Sequence, residues 1–130
     1  MEVISWREMG HVPVTILQVK GDLTAEEQLE NAARTAFQDG ARNIILDLSH
    51  VPYISSAGLR AIHMLYMMLR EADPQDSATA ALGIARGTYK SPHLKLVNPT
   101  RNGLRALTTA GYDMFLDVID DVPTAVAQFR

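Results

Sequence analysis

Around residue 55 the chain gathers the side chains whose types could do chemistry: Asp47, His50, Ser55 and Ser56, with Gly58 just after them. A serine near a histidine and an aspartate raises the possibility of nucleophilic catalysis. That chemistry puts the serine on a sharp strand-to-helix turn, written Gly-x-Ser-x-Gly. Ser56-Ala57-Gly58 supplies the second half of that pattern, but Ile54 stands where the first glycine belongs. A chain of 130 residues is also short for an α/β-hydrolase sheet with a substrate cap, so a hydrolase is set aside. His11, His50, His63 and His93 show no His-x-x-x-His spacing, and there is no cysteine, so neither a structural nor a catalytic metal site is predicted. The stretch Gly83 to Lys90 has glycines and a lysine but does not fit the phosphate-loop pattern, and no cofactor is implied.

The two hydroxyls have a simpler use. A helix N-terminus leaves unsatisfied N–H groups and the positive end of the helix dipole, and serine is among the preferred caps. Gly58 falls in the first turn, where glycine costs about 1 kcal/mol relative to alanine. Its place therefore calls for a close neighbour: another backbone, a partner or a phosphate approaching the N–H groups, or tight packing of the helix on a sheet.

The elements that position these residues are legible in outline. Val3 to Trp6 and Val12 to Val19 read as two strands, a hairpin broken at His11-Val12-Pro13. Thr24-Ala-Glu-Glu27 reads as a capping box opening a helix through Leu29, Ala33, Ala36 and Phe37 to Asp39-Gly40. Asn43 to Leu48 is nearly all apolar, as a strand buried on both faces of a parallel sheet is. A helix follows from about Ser56 through Leu59, Ile62, Leu65 and Leu69. Residues 72–93 have no sustained period and are predicted to be a long surface loop or insertion, with one short helical turn near Thr79 to Ile84. Leu94 to Val97 is a strand, Asn98-Pro99-Thr100 a turn into a helix stopped at Ala110-Gly111, and Phe115 to Ile119 a last strand before a helix begun at Pro123. The expected order is β-β-α-β-α-β-α-β-α: a single α/β domain over residues 1–130, with a mostly parallel mixed sheet, an N-terminal hairpin and packed helices.

Composition narrows the class. A formal net charge of -3 with scattered basic residues gives no stripe to follow phosphates, so nucleic acid is not expected as a direct partner. No run approaches the roughly 18 apolar residues of a membrane span. The N-terminus lacks a secretory start. A soluble protein without membrane insertion is expected, and the absence of cysteine fits the cytoplasm.

Asp47-Leu-Ser-His-Val-Pro-Tyr-Ile-Ser-Ser-Ala-Gly-Leu59 resembles the signature of the STAS domain, as found in bacterial anti-sigma factor antagonists and in the cytoplasmic part of sulfate transporters. Gly21-Asp22-Leu23 and Leu96-Val97-Asn98-Pro99 extend the resemblance over nearly the whole chain. It implies the STAS fold and a non-enzymatic partner switch that regulates transcription. An antagonist captures an anti-sigma factor that is also a serine kinase, and lets go when phosphorylated at the start of this helix. The phosphorylated position corresponds to Ser56. Relatives often carry an acidic residue just before it, where this chain has Ser55, which stands as a second acceptor.

A phosphoserine at a helix N-terminus is stabilised by the dipole, and Arg60, four residues on, is placed to pair with it. Ser56, Arg60, His63, Met67 and Arg70 form one helical stripe, which with Asp22, Thr24 and His50 makes the expected docking surface. Asp47 is expected to position the loop through the amides after it, and Asn98 to stabilise the Asn-Pro turn. The alternative within the same fold is a binding module without a switch: a transporter accessory subunit, a sensory scaffold or a small-ligand binder. The oligomeric state is open.

Overall fold

A computed structural model describes all 130 residues. Five strands form one sheet in the order β1-β2-β3-β4-β5. They are β1 (Glu2–Met9), β2 (Pro13–Lys20), β3 (Ile44–His50), β4 (Leu94–Val97) and β5 (Asp117–Ile119). The β1–β2 hairpin is antiparallel and every other pairing is parallel. The helices are α1 (Glu26–Gln38), α2 (Ser56–Glu71), α3 (Pro74–Arg86), α4 (Arg101–Thr109) and α5 (Val122–Gln128), with a 3-10 turn at Tyr112–Met114.

Alternation along the strands sorts side chains to two faces, since successive residues of a strand point opposite ways. Leu17 and Val19, with Leu46 and Leu48 and with Leu94 and Leu96, join the buried residues of α1 to α4 in the larger core. Val14, Ile16, Ile45, Val97 and Ile119 turn the other way, under Ala125 of α5 and Phe129 just beyond it. Lys95 is buried on this second face, where its ammonium lies 3.0 Å from Asp117 and 5.1 Å from the centre of the Phe129 ring. Its pairing there meets the requirement that a buried charge be compensated.

Three expectations need correction. Residues 72–93 are not a long loop, because α3 occupies thirteen of them. Its ends are strongly encoded: Asp73 accepts a hydrogen bond from the Gln75 amide, Pro74 opens the helix, and Gly87 closes it in the left-handed conformation. Its buried positions are Asp76, Ala80 and Gly83, while Leu82 and Ile84 are exposed. The helical period is therefore carried by small and polar residues, which an apolar pattern does not reveal.

The capping box at Thr24 does not form either. Leu23 is held in a parallel bridge with Ile54, and its amide donates to the Tyr53 carbonyl at 2.9 Å. The chain stays extended through Ala25, and α1 starts at Glu26 with no side-chain cap. Non-local pairing of Leu23 thus overrides the local capping signal. The last strand is also shorter than expected: Phe115 packs with Tyr66 and Tyr112 at ring distances of 4.9 and 5.5 Å, and only Asp117–Ile119 pairs.

Candidate functional site: the start of α2

The site begins where β3 ends. The buried Asp47 carboxylate accepts hydrogen bonds from the Ser49 amide (3.0 Å) and hydroxyl (2.7 Å) through Oδ1, and from the Gln18 side-chain amide (2.9 Å) through Oδ2. It ties the exit of β3 to β2 and shapes the turn. The Ser49 hydroxyl also lies 3.0 Å from His50 Nδ1. Because that hydroxyl spends its one proton on Asp47, His50 serves as its donor. A serine nucleophile needs its histidine as acceptor, so this Asp-Ser-His chain has the wrong order for a catalytic triad.

Beyond His50 the loop is anchored from two sides. The Gly21 amide donates to the His50 carbonyl at 2.9 Å, which ties the turn bearing Asp22 and Thr24 to the end of β3. Thr100 Oγ1 donates to the Val51 carbonyl (3.0 Å) and accepts from the Gly103 amide (3.1 Å), so the cap of α4 also clamps the loop. Asn98, just upstream, has φ 47°, and its amide donates to the Ile119 carbonyl at 2.8 Å. Asparagine tolerates this left-handed conformation better than most residues.

The two serines divide the work. Ser55 is the N-cap: its hydroxyl accepts from the Gly58 amide at 3.1 Å and donates to the Leu23 carbonyl at 3.3 Å. The Ser55 amide also donates to that carbonyl, at 3.0 Å. Ser56 is the first helical residue; its side chain is exposed and makes no hydrogen bond within the chain. The Ser55 hydroxyl is engaged on both sides while that of Ser56 is free.

Gly58 fits a close backbone approach. A Cβ there would overlap the Leu23 carbonyl oxygen and stand 2.9 Å from Leu23 Cγ and 3.1 Å from Ile54 Cγ2. The neighbour that excludes a side chain is the turn between β2 and α1, the same turn that carries Asp22 and Thr24.

Asp22, Thr24, His50, Ser56, Arg60 and His63 are all exposed. The bonds just described hold the β2–α1 turn, the loop after β3 and the start of α2 against one another. Arg60 is already engaged: its Nε lies 2.7 Å from Glu26 Oε1 in the first turn of α1. Farther along α2 the stripe becomes a ridge between two grooves. Met67 is half-buried, and the half-buried Arg70 reaches the Tyr66 hydroxyl at 3.5 Å. One groove, about 530 Å³, runs between α1 and α2 past Phe37, Met64 and Met68. Another, about 400 Å³, lies against Tyr89, Met114 and Phe115.

Tyr112 donates to the Leu59 carbonyl at 2.7 Å, fastening α2 to the segment after α4, and burial pushes its phenol upward in pKa against the opposing pull of Arg60. Sequence reasoning did not single out Gln18, Ser49, Thr100 or Tyr112. Ser49 follows Asp47 by two residues, the spacing of a side-chain-to-backbone turn, and Thr100 precedes a helix as a preferred cap; both signals are local. Gln18 and Tyr112 act across the fold and leave no local trace. No cluster of three or more His, Cys, Asp or Glu side chains could hold a metal ion, and no helix is long and apolar enough to cross a membrane.

Comparison with known proteins agrees with this architecture. The sequence model of the STAS domain matches residues 7–75, from β1 to the first turn of α3. The chain belongs to the STAS domain family. No curated protein matches it. Among solved structures, an anti-sigma factor antagonist from Mycobacterium paratuberculosis superposes with TM-score 0.72 at 18% identity, over 99% of this chain and 95% of that one. The anti-sigma factor antagonist SpoIIAA in its unphosphorylated form gives 0.55 at 17% identity, covering 93% and 92%. A Thermotoga maritima chain gives 0.63 at 21% identity, covering 90% and 87%. At these identities the likeness is one of fold. The STAS match runs from Arg7 in β1 through α1, β3 and α2 and ends near the start of α3.

Proposed function

We propose that this STAS domain is an anti-sigma factor antagonist that works in the cytoplasm by reversible protein binding, without catalysis of its own. Its partner is an anti-sigma factor with serine kinase activity, and phosphorylation of Ser56 releases that partner. The observation that carries the reading is the division of labour at α2. Ser55 caps the helix, while Ser56 stands exposed and unbonded at its first position.

The kinase would move the γ-phosphoryl group of ATP to Ser56 Oγ, with loss of the hydroxyl proton and release of ADP. The phosphate brings about -1.5 to -2 charges at neutral pH. The amides of Ser56 and Ala57 lie in the first turn, where a helix has no intrahelical acceptor for them, so an anion is accommodated without unfolding. Arg60, one turn on, then has two anions to choose between, the phosphate and Glu26 at 2.7 Å. Release follows from a bulky charge placed where Ser56 carried a neutral hydroxyl, and a tenfold loss of affinity needs only about 1.4 kcal/mol.

The test is intact mass and affinity before and after incubation with the anti-sigma kinase and ATP, for the native chain and for Ser56→Ala. The reading expects a single phosphate, absent from Ser56→Ala, that weakens binding at least about tenfold. Tight binding with no phosphate incorporated, or no binding, would replace the switch with a non-switching STAS binding module.

A further inference from the structure

The outer edge of β1 is open. β1 is paired on one side only and runs eight residues in an unbroken register with β2, without proline or bulge. The Thr15 amide donates to the Asn43 carbonyl at 2.9 Å, beside β3. Backbone groups of successive strand residues point to opposite sides, so the even-numbered residues of β2 bond to β1. Their partners are Glu2, Ile4, Trp6 and Glu8. The N–H and C=O groups of Val3, Ser5, Arg7 and Met9 therefore point outward in a continuous unpaired row. Such an edge is a template for another strand, and the usual protections of proline, bulge or a covering helix are absent from β1. Ile4 and Trp6, each 36% exposed, lie on the α5 face, since Trp6 is paired with Ile16 of that core.

We propose that β1 pairs antiparallel with β1 of a second copy about a two-fold axis through Trp6, joining the two sheets into one. Outward-pointing residues must oppose outward-pointing residues, which leaves two central registers, through Ser5 or through Trp6. The first sets Glu2 against Glu8 of the second copy twice over, a like-charge contact that disfavours it. The second sets Glu8 against Ile4, Arg7 against Ser5, and Trp6 against Trp6 in a non-hydrogen-bonded pair, where facing side chains come closest. A two-fold interface of this kind consumes its own edge and closes at a dimer. The opposite edge of the sheet, β5, has only three residues and offers little template for growth.

Sedimentation velocity of the full chain over a concentration series tests this. A dimer is expected, and Ser5→Pro should weaken it by at least about tenfold while leaving the monomer's circular dichroism unchanged, because an edge strand accepts proline where the lost N–H faces solvent. The chain has no cysteine, so single cysteines report the register. On oxidation Trp6→Cys should form covalent dimer faster than Ile4→Cys or Ser5→Cys, its facing Cα atoms lying about 4.5 Å apart, within disulfide range. A chain that stays monomeric throughout, a dimer indifferent to Ser5→Pro, or equal cross-linking at the three positions would overturn the proposal.

Discussion

Gly58→Ala sets two opposing effects against each other at the head of α2. Alanine is favoured over glycine inside a helix by about 1 kcal/mol, and on propensity alone the substitution would stabilise the protein. Against that, the new Cβ would overlap the Leu23 carbonyl oxygen, and its next contact is 2.9 Å from Leu23 Cγ. The obstacle is backbone, which cannot rotate aside, and overpacking of this kind costs about 1–3 kcal/mol. Moving Leu23 also loosens the bonds its carbonyl accepts from the Ser55 amide and hydroxyl, worth about 0.5–1.5 kcal/mol apiece.

The net expectation for Gly58→Ala is destabilisation of about 2 kcal/mol. Urea unfolding should show a lower midpoint with an unchanged slope. The thermal midpoint should fall by roughly 6–10 °C, interpolating between the usual sensitivities of smaller and larger domains. Partner affinity should fall as well, because the displaced turn carries Asp22 and Thr24. A variant as stable as the native chain, or more stable, would refute the close approach of α2 to the β2–α1 turn.

Three further outcomes are expected. Ser55→Ala removes the α2 cap and should cost about 1 kcal/mol in urea unfolding, while phosphate incorporation at Ser56, followed by intact mass, persists. Asp47→Ala leaves the Gln18 amide and the Ser49 hydroxyl and amide without their acceptor and should cost about 1–3 kcal/mol; no loss in chemical denaturation would show that the carboxylate does not organise the loop. Asp73 accepts from His93 Nε2 at 2.8 Å, and this bond holds its carboxyl below the ordinary value of 3.8. A lowered carboxyl stabilises the fold above the unfolded value and loses that contribution as pH falls through the folded value. The stability gap between the native chain and Asp73→Asn, from thermal melts across pH, should therefore be full at neutral pH and shrink below about 3.8.

The readable parts of the molecule are those whose cause lies within a few residues. The alternation of β2, the apolar run of β3, the serine cap of α2 and the glycine stop at Gly111 were all accessible, since each rests on backbone geometry or on spacing of four residues or less. The helix α3 shows the limit of an apolar criterion: Asp73, Pro74 and Gly87 announced its ends, but its inward side is Asp76, Ala80 and Gly83. In the loop from Asp47 to Gly58, residue types alone singled out Ser55, Ser56 and Gly58 without assigning each its task.

The sequence by itself determined the α/β class, the approximate place of nearly every element, and the hydroxyl-bearing helix start on which the family resemblance rests. Only the tertiary structure decided which serine is occupied and which is free, because the choice depends on the Leu23 carbonyl arriving from thirty-two residues away. It also decided that Thr24 caps nothing, that Arg60 is held by Glu26, and that Gly58 is shaped around a backbone turn. These are contacts between segments distant in sequence. Their register is set by how strands pair and helices pack, and no local pattern encodes it.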